Sequence, residues 1–217
     1  EKENGEYHYF LGQVYEKILK IDDAIANYKI TRKFSPEIVE VNRKLGLLLF
    51  NEEQYRNALE PLRDYIIHYP DSTRILSIFS NVLLKESRYP EAIDGFSRLI
   101  DKEPNSIDNY LNLALAYKEM DDFENAMLIY EEALNFNDEL SDIYIQLGLT
   151  TYELGYYDKT VKYLLESMNC EEPDFNTNYL LGLAYGNLKN PFQAILAFNQ
   201  ATLLDSTDIT ISFQTGV

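Results

Sequence analysis

Adjacent carboxylates at Asp22–Asp23, Asp121–Asp122, Glu131–Glu132 and Glu171–Glu172, together with two histidines and one cysteine, are the residues of this chain best suited by type to act on a substrate. Paired carboxylates serve general acid–base catalysis when a cleft drives their pKa values apart. Histidine and cysteine clusters hold metals. The spacing favours neither. The carboxylates fall in expected turns and on polar helix faces, where a solvated surface is the expectation. His8 and His68 are far apart, and neither neighbours a cysteine or a second histidine. Cys170 can form no internal disulfide and no cysteine-based zinc site. It reads as a small residue near a helix end. One cysteine fits a reducing, cytoplasmic compartment and leaves a bacterial periplasm open. There is no phosphate-binding GxxxxGK[ST] loop, no GxGxxG, no GxSxG, no HExxH and no EF-hand loop. No catalytic residue, metal or cofactor is expected, and the chain reads as non-enzymatic.

Composition narrows the partners. Of 217 residues, 46% are hydrophobic and 25% charged, enough for a sizeable core. Asp and Glu number 36 against 19 Lys and Arg, a net charge of −17, which repels polyanions. No run of Lys/Arg is longer than "RK" (32–33 and 43–44). Binding to nucleic acid and to anionic lipid is therefore not expected. Apolar runs such as "LGLLLF" (45–50) are far too short to span a bilayer, so no membrane insertion is expected.

The elements that must position any site follow from a repeat. "FLGQVY" (10–15), "KLGLLL" (44–49), "NLALAY" (112–117), "QLGLTT" (146–151) and "LLGLAY" (180–185) resemble one another. Their small residues, Gly12, Gly46, Ala114, Gly148 and Gly182, fall on a 34-residue register whose missing member is Ser80. A second register twelve places on holds Ala24, Ala58, Ala92, Ala126, Thr160 and Ala194. A third, four further, holds Tyr28, Leu62, Phe96, Tyr130, Leu164 and Phe198. Pro36, Pro70 and Pro104 close the first three units, and Pro173 lies one place beyond the matching point in the fifth.

This pattern resembles the tetratricopeptide repeat family, over nearly the whole chain. Six contiguous repeats span 5–38, 39–72, 73–106, 107–140, 141–174 and 175–208. Residues 209–217 read as the start of a seventh repeat, and 1–4 as the last places of a preceding one, as in a slice of a longer array. The resemblance implies an all-α fold: an α-solenoid of antiparallel helix pairs in a right-handed superhelix, forming one array over 1–217. Helical spacing inside each unit agrees, as at 110, 113, 114 and 117 and then 126, 129, 130, 133 and 134. Small residues at positions 8 and 20 should let paired helices approach, and apolar wedges at Ile21, Tyr55, Tyr89, Phe123 and Tyr157 should open each second helix. There are departures. The family's large aromatic at position 4 is present as Tyr110 and Tyr144, while the other units carry His8, Asn42, Leu76 and Asn178. A packing role is expected for His8.

The resemblance further implies a concave face lined by first helices at positions 2, 5, 9 and 12, one helical stripe. In the first three repeats that stripe is mixed, with Arg74 and Asn81 in repeat 3. In the last three it is nearly continuous apolar surface: Leu111 and Leu115, then Ile145, Leu149 and Tyr152, then Tyr179 and Leu183, with Asp108 and Asp142 at its edge. Position 5 is favoured for partner contact. Repeat 4 holds nine acids and one base, and repeat 5 seven acids and two bases. An apolar groove with an acidic border suits an amphipathic segment bearing Lys/Arg, although a solvated acidic outer face accounts for the same charges. The clamp with which some family members grip the C-terminal tails of Hsp70 and Hsp90 is not reconstituted: its lysine is missing at Ser77. The expected function is a protein–protein interaction scaffold that binds a peptide or helical segment. The alternatives are a structural segment of a longer rod, a self-associating subunit, or a targeting arm of a larger enzyme.

Overall fold

The computed structural model describes residues 4–136 and 141–204. Among them there is helix and no strand. The chain divides into two compact units, Glu1–Pro104 and Asn105–Val217. The first holds α1 (Gly5–Lys17), α2 (Ile21–Phe34), α3 (Glu40–Asn51), α4 (Tyr55–His68), α5 (Thr73–Lys85) and α6 (Tyr89–Lys102). The second holds α7 (Ile107–Lys118), α8 (Phe123–Ala133), α9 (Ser141–Glu153), α10 (Tyr157–Cys170), α11 (Phe175–Asn187) and α12 (Pro191–Leu204). Each 34-residue period contains one antiparallel pair. Within a unit the second helix of one pair packs on the first helix of the next. The expected wedges Ile21, Tyr55, Tyr89, Phe123 and Tyr157 are the first residues of α2, α4, α6, α8 and α10. Pro191 opens α12, where its missing N–H has no intrahelical carbonyl to meet. The expectation for 209–217 lies outside the described residues.

The pairing contact is sharper than the repeat pattern implies. The large residue at position 24 lies against the small residue at position 8, and both are shielded from solvent. A methyl at Gly46 would sit 2.5 Å from Leu62 Cδ2, and one at Gly148 2.5 Å from Leu164 Cδ2. Repeat 3 solves the same problem in mirror fashion. Ser80 takes position 8, and its partner is Gly95 on α6, where a methyl would collide with Ser80 Oγ. The glycine has moved to the other helix. In repeat 5 Thr160 replaces the alanine of position 20, and its hydroxyl is satisfied by Thr151 Oγ1 at 3.1 Å and by the Tyr156 carbonyl at 3.3 Å.

The turn inside each pair is built alike in all six repeats. Leu19, Glu53, Ser87, Asp121 and Lys189 have φ of 56–58°, and Gly155 has 74°. All occupy position 15. The following residue donates its N–H five residues back: Lys20 to the Tyr15 carbonyl at 2.9 Å, Gln54 to Leu49 at 2.8 Å, Asp122 to Tyr117 at 3.0 Å, Asn190 to Tyr185 at 2.9 Å. This left-handed cap satisfies carbonyls that the helix end would leave unpaired. Side chains other than glycine pay in strain for that conformation, and here the flanking helix contacts hold five of them in it.

Candidate functional site

The stripe expected to meet a partner lies on first helices. In the second unit α7 carries Asp108, Leu111 and Leu115, α9 carries Asp142, Ile145, Leu149 and Tyr152, and α11 carries Tyr179 and Leu183. Asp108 and Asp142 are exposed, and Leu149 is 38% exposed. Leu111, Leu115, Ile145, Tyr152, Tyr179 and Leu183 are half-buried. Part of the strip is therefore consumed by packing. Tyr179 stacks on Phe175, centroids 5.8 Å apart, and leans on Phe198 at 5.6 Å. Leu183 packs on the core of Ala194, Phe198 and Ala201. The Tyr152 ring meets Tyr157 edge-on at 5.4 Å, and its hydroxyl accepts from Asn187 Nδ2 at 3.4 Å. The most open apolar side chain of the strip is Leu149, at position 9, rather than a residue of position 5. In the first unit Arg74 is exposed on α5, while Asn81 donates from Nδ2 to the Ser77 carbonyl at 2.9 Å, which spends that donor inside its own helix.

Beside Leu149 lies a hollow of about 330 Å³ bounded by Phe123 and Thr150 and by Glu119, Asp121, Glu153 and Lys118. Three carboxylates and Lys118 thus surround the side chains of Leu149 and Phe123. Lys118 donates to Gln146 Oε1 at 2.9 Å, linking α7 to α9. Tyr130, buried below, is pushed up to about 12 by burial and by the charge of Glu119, so it stays a neutral phenol.

The residues with chemical potential are put to structural use. Asp22 and Asp23 lie in the first turn of α2, where negative charge is favourable. Asp122 caps α8, accepting from the Asn125 N–H. Glu131 accepts from the Tyr163 hydroxyl at 2.5 Å and from Lys159 at 3.3 Å, so it ties α8 to α10 instead of standing free in solvent. Burial and the adjacent Glu131 charge raise the Tyr163 phenol well above its ordinary value. His8 meets Asn27 Oδ1 at 2.8 Å, a polar packing contact. Cys170 ends α10 and is half-buried. Among the described residues no three His, Cys, Asp or Glu side chains gather as a metal site would require. No helix among them is long and apolar enough to cross a membrane.

A feature that sequence reasoning missed lies in the first unit: a cleft of about 800 Å³ among α2, α3 and α4, rimmed by Lys29, Arg32, Lys33 and Arg56. Only the short run Arg32–Lys33 hints at it, because the four residues are spread over 28 positions on two helices. The readable signals were the asparagine in place of an aromatic at position 42 and the proline at 61.

Comparison with known proteins agrees with the repeat architecture. A family model described as tetratricopeptide repeat matches residues 107–139 and 175–208. The BBSome complex member BBS4 homolog of Drosophila melanogaster is 25% identical over 122 residues, which is 56% of this chain and 25% of that protein. Human mitochondrial import receptor subunit TOM70 is 17% identical over 193 residues, 84% of this chain and 31% of that protein. The chain thus spans about a quarter to a third of the length of these curated relatives. Among solved structures, the crystal structure of MamA protein superposes with a TM-score of 0.67 at 25% identity, covering 77% of this chain and 92% of that one.

Proposed function

The chain belongs to the tetratricopeptide repeat family, and from that premise we propose that it is a non-enzymatic interaction scaffold whose second unit receives an amphipathic, Lys/Arg-bearing segment of a partner protein. The observation that carries the reading is Leu149, an exposed leucine on the first-helix stripe beside a hollow bordered by Glu119, Asp121 and Glu153. An apolar anchor from the partner would cover Leu149, and its cations would face the three carboxylates. On this reading Asp108 and Asp142 would add to the acidic edge, and Leu111 and Ile145 to the apolar contact. The two named relatives are, by their descriptions, a complex member and an import receptor subunit, roles that rest on binding other proteins.

The test is selection from a library of labelled amphipathic peptides on the immobilised chain, then affinity measurement with Leu111→Ser, Ile145→Ser and Leu149→Ser combined. Lys/Arg-bearing peptides should be enriched, and the variant should bind them at least about tenfold more weakly with its helical circular dichroism unchanged. Enrichment of purely polar peptides, or unchanged affinity in the variant, overturns the reading.

A specific observation favours the second reading, a rod segment or self-associating subunit. Tyr7, Phe10, Val14 and Ile18 form an exposed apolar stripe along α1, each more than half exposed. Light scattering over a dilution series separates the two: a mass independent of concentration counts against self-association.

A further inference from the structure

Position 4 of repeat 2 is Asn42, where repeats 4 and 5 carry Tyr110 and Tyr144. Beside it lies the cleft of the first unit, a hollow of about 800 Å³ whose inner wall includes Leu45 and Leu49 of α3. Asn42 lines this hollow, is only 5% exposed, and its Oδ1 has no hydrogen-bond partner. A buried amide oxygen without a donor is an unusual and costly arrangement. It becomes favourable when the amide turns its oxygen toward the cleft and something that enters there brings an N–H or O–H.

A second acceptor lies close by. Pro61 sits inside α4 and supplies no N–H to the Asn57 carbonyl one turn earlier. Asn57 and Pro61 both line the cleft.

The rim is cationic in a chain of net charge −17. Its two carboxylates, Glu60 and Asp64, are both taken by Arg32, at 3.1 and 2.6 Å. The hydrogen bonds and opposing charges of those carboxylates outweigh the cost of burial and hold the Arg32 guanidinium firmly charged. Among the described residues no carboxylate pairs with Lys29, Lys33 or Arg56, which line the opening; Lys33 lies 4.7 Å over the Phe34 ring. All three are exposed.

Acceptors inside and cations at the rim specify a ligand that donates hydrogen bonds and carries negative charge. We propose that this cleft, formed among α2, α3 and α4 and distinct from the stripe of the second unit, binds an extended acidic peptide segment. Backbone N–H groups of the segment would meet Asn42 Oδ1 and the Asn57 carbonyl, and its Asp or Glu side chains would meet Lys29, Lys33 and Arg56. Phosphate satisfies the rim but brings few donors to the interior, so the orphaned Asn42 Oδ1 favours the peptide. The proposal does not rest on the groove of the second unit.

The test uses the full chain and a fluorescein-labelled Asp/Glu-rich octapeptide, followed by anisotropy. The acidic peptide should bind, and a Lys-rich peptide of equal length should bind at least about tenfold more weakly. Lys29→Glu with Lys33→Glu, both exposed, should abolish binding. Asn42→Leu, which removes the acceptor, should weaken it at unchanged net charge, and N-methylation of the peptide backbone should do the same. Helicity of each variant is checked by circular dichroism. Equal binding of the Lys-rich peptide, or indifference to both the lysine reversals and Asn42→Leu, overturns the proposal. So does displacement of the peptide by inorganic phosphate at matched ionic strength, which would make the cleft a simple anion site. Because the probe is acidic, failure here leaves selection of Lys/Arg-bearing peptides by the second unit untouched, and the reverse holds as well.

Discussion

Residues 5–106 carry sixteen acids and fourteen bases, whereas 107–208 carry eighteen acids and only four bases. The two units share a 34-residue period and the same pairing contacts, yet they spend charge differently. In the first unit, charge holds neighbouring repeats together. Lys44 reaches Glu16 at 3.0 Å, Arg32 reaches Glu60 and Asp64, Arg63 reaches Glu91 at 3.8 Å, and Lys102 reaches Asp71 at 2.5 Å. Each pair joins one repeat to the next. The second unit has too few cations for this. Its links include Lys118 to Gln146, Tyr163 to Glu131 and the pair Lys159–Glu131. The shared skeleton is thus set by small and large apolar residues in fixed register, and the polar surface is free to vary over it.

If that division is right, insults to the skeleton should cost the two units alike. Gly46→Val and Gly148→Val each drive a branched side chain into a leucine already within 2.5 Å of the first added carbon. Each should destabilise by about 1–3 kcal/mol in urea titration, and the two losses should match. A large disparity would break the comparison at its base.

Insults to the polar links should cost the units unequally. Arg32→Gln removes a guanidinium that serves two carboxylates from a partly sheltered position. It should cost about 1 kcal/mol at low salt. Lys159→Gln removes one half-exposed ammonium at 3.3 Å and should cost a few tenths, roughly the lower end for exposed pairs. Half-molar salt should shrink both losses, and that of the more exposed Lys159 pair by the larger fraction. Equal losses, or no salt response, would mean that charge does not distinguish the units.

The smallest effect is a pH dependence at Glu16. Burial works against its charge, but the Tyr28 hydroxyl at 2.6 Å and the Lys44 ammonium outweigh it and hold the carboxyl below its ordinary range. A carboxyl lowered in the folded state contributes stability that is complete above its unfolded pKa and fades as pH falls through its folded value. Wild type should therefore exceed Glu16→Gln in stability at neutral pH. The gap should close on acidification through the carboxylate range. A gap that widens in acid would reverse the assigned sign.

What could be read from the sequence was whatever recurs at fixed spacing. Gly12, Gly46, Gly148 and Gly182 with Ala24, Ala58, Ala92 and Ala126 located the helix pairs, and Tyr55 or Phe123 marked where second helices begin. What escaped depends on contacts between registers. Ser80 stood out as an exception, but its compensation by Gly95 requires knowing which helix faces face each other. The stripe from Leu111 to Leu183 was legible as a face, while its exposure was not, because Phe175 and Phe198, residues of other registers, take up the ring of Tyr179. The cleft at Asn42 is a space, and a one-dimensional pattern does not display a space. The left-handed turns were invisible for another reason: one of the six carries the glycine that would advertise them.

Those turns have an evolutionary consequence. Every pair bends through the same backbone state at position 15, closed by the same hydrogen bond. A cut made at one turn therefore matches a cut made at any other. Genetic duplication or loss of whole 34-residue blocks can rejoin ends of identical shape, so the gene can lengthen or shorten by copying without redesigning a joint. A shift of a single residue has no such allowance, since it would move a leucine, a glutamate or a lysine out of the one place where a left-handed residue closes the helix.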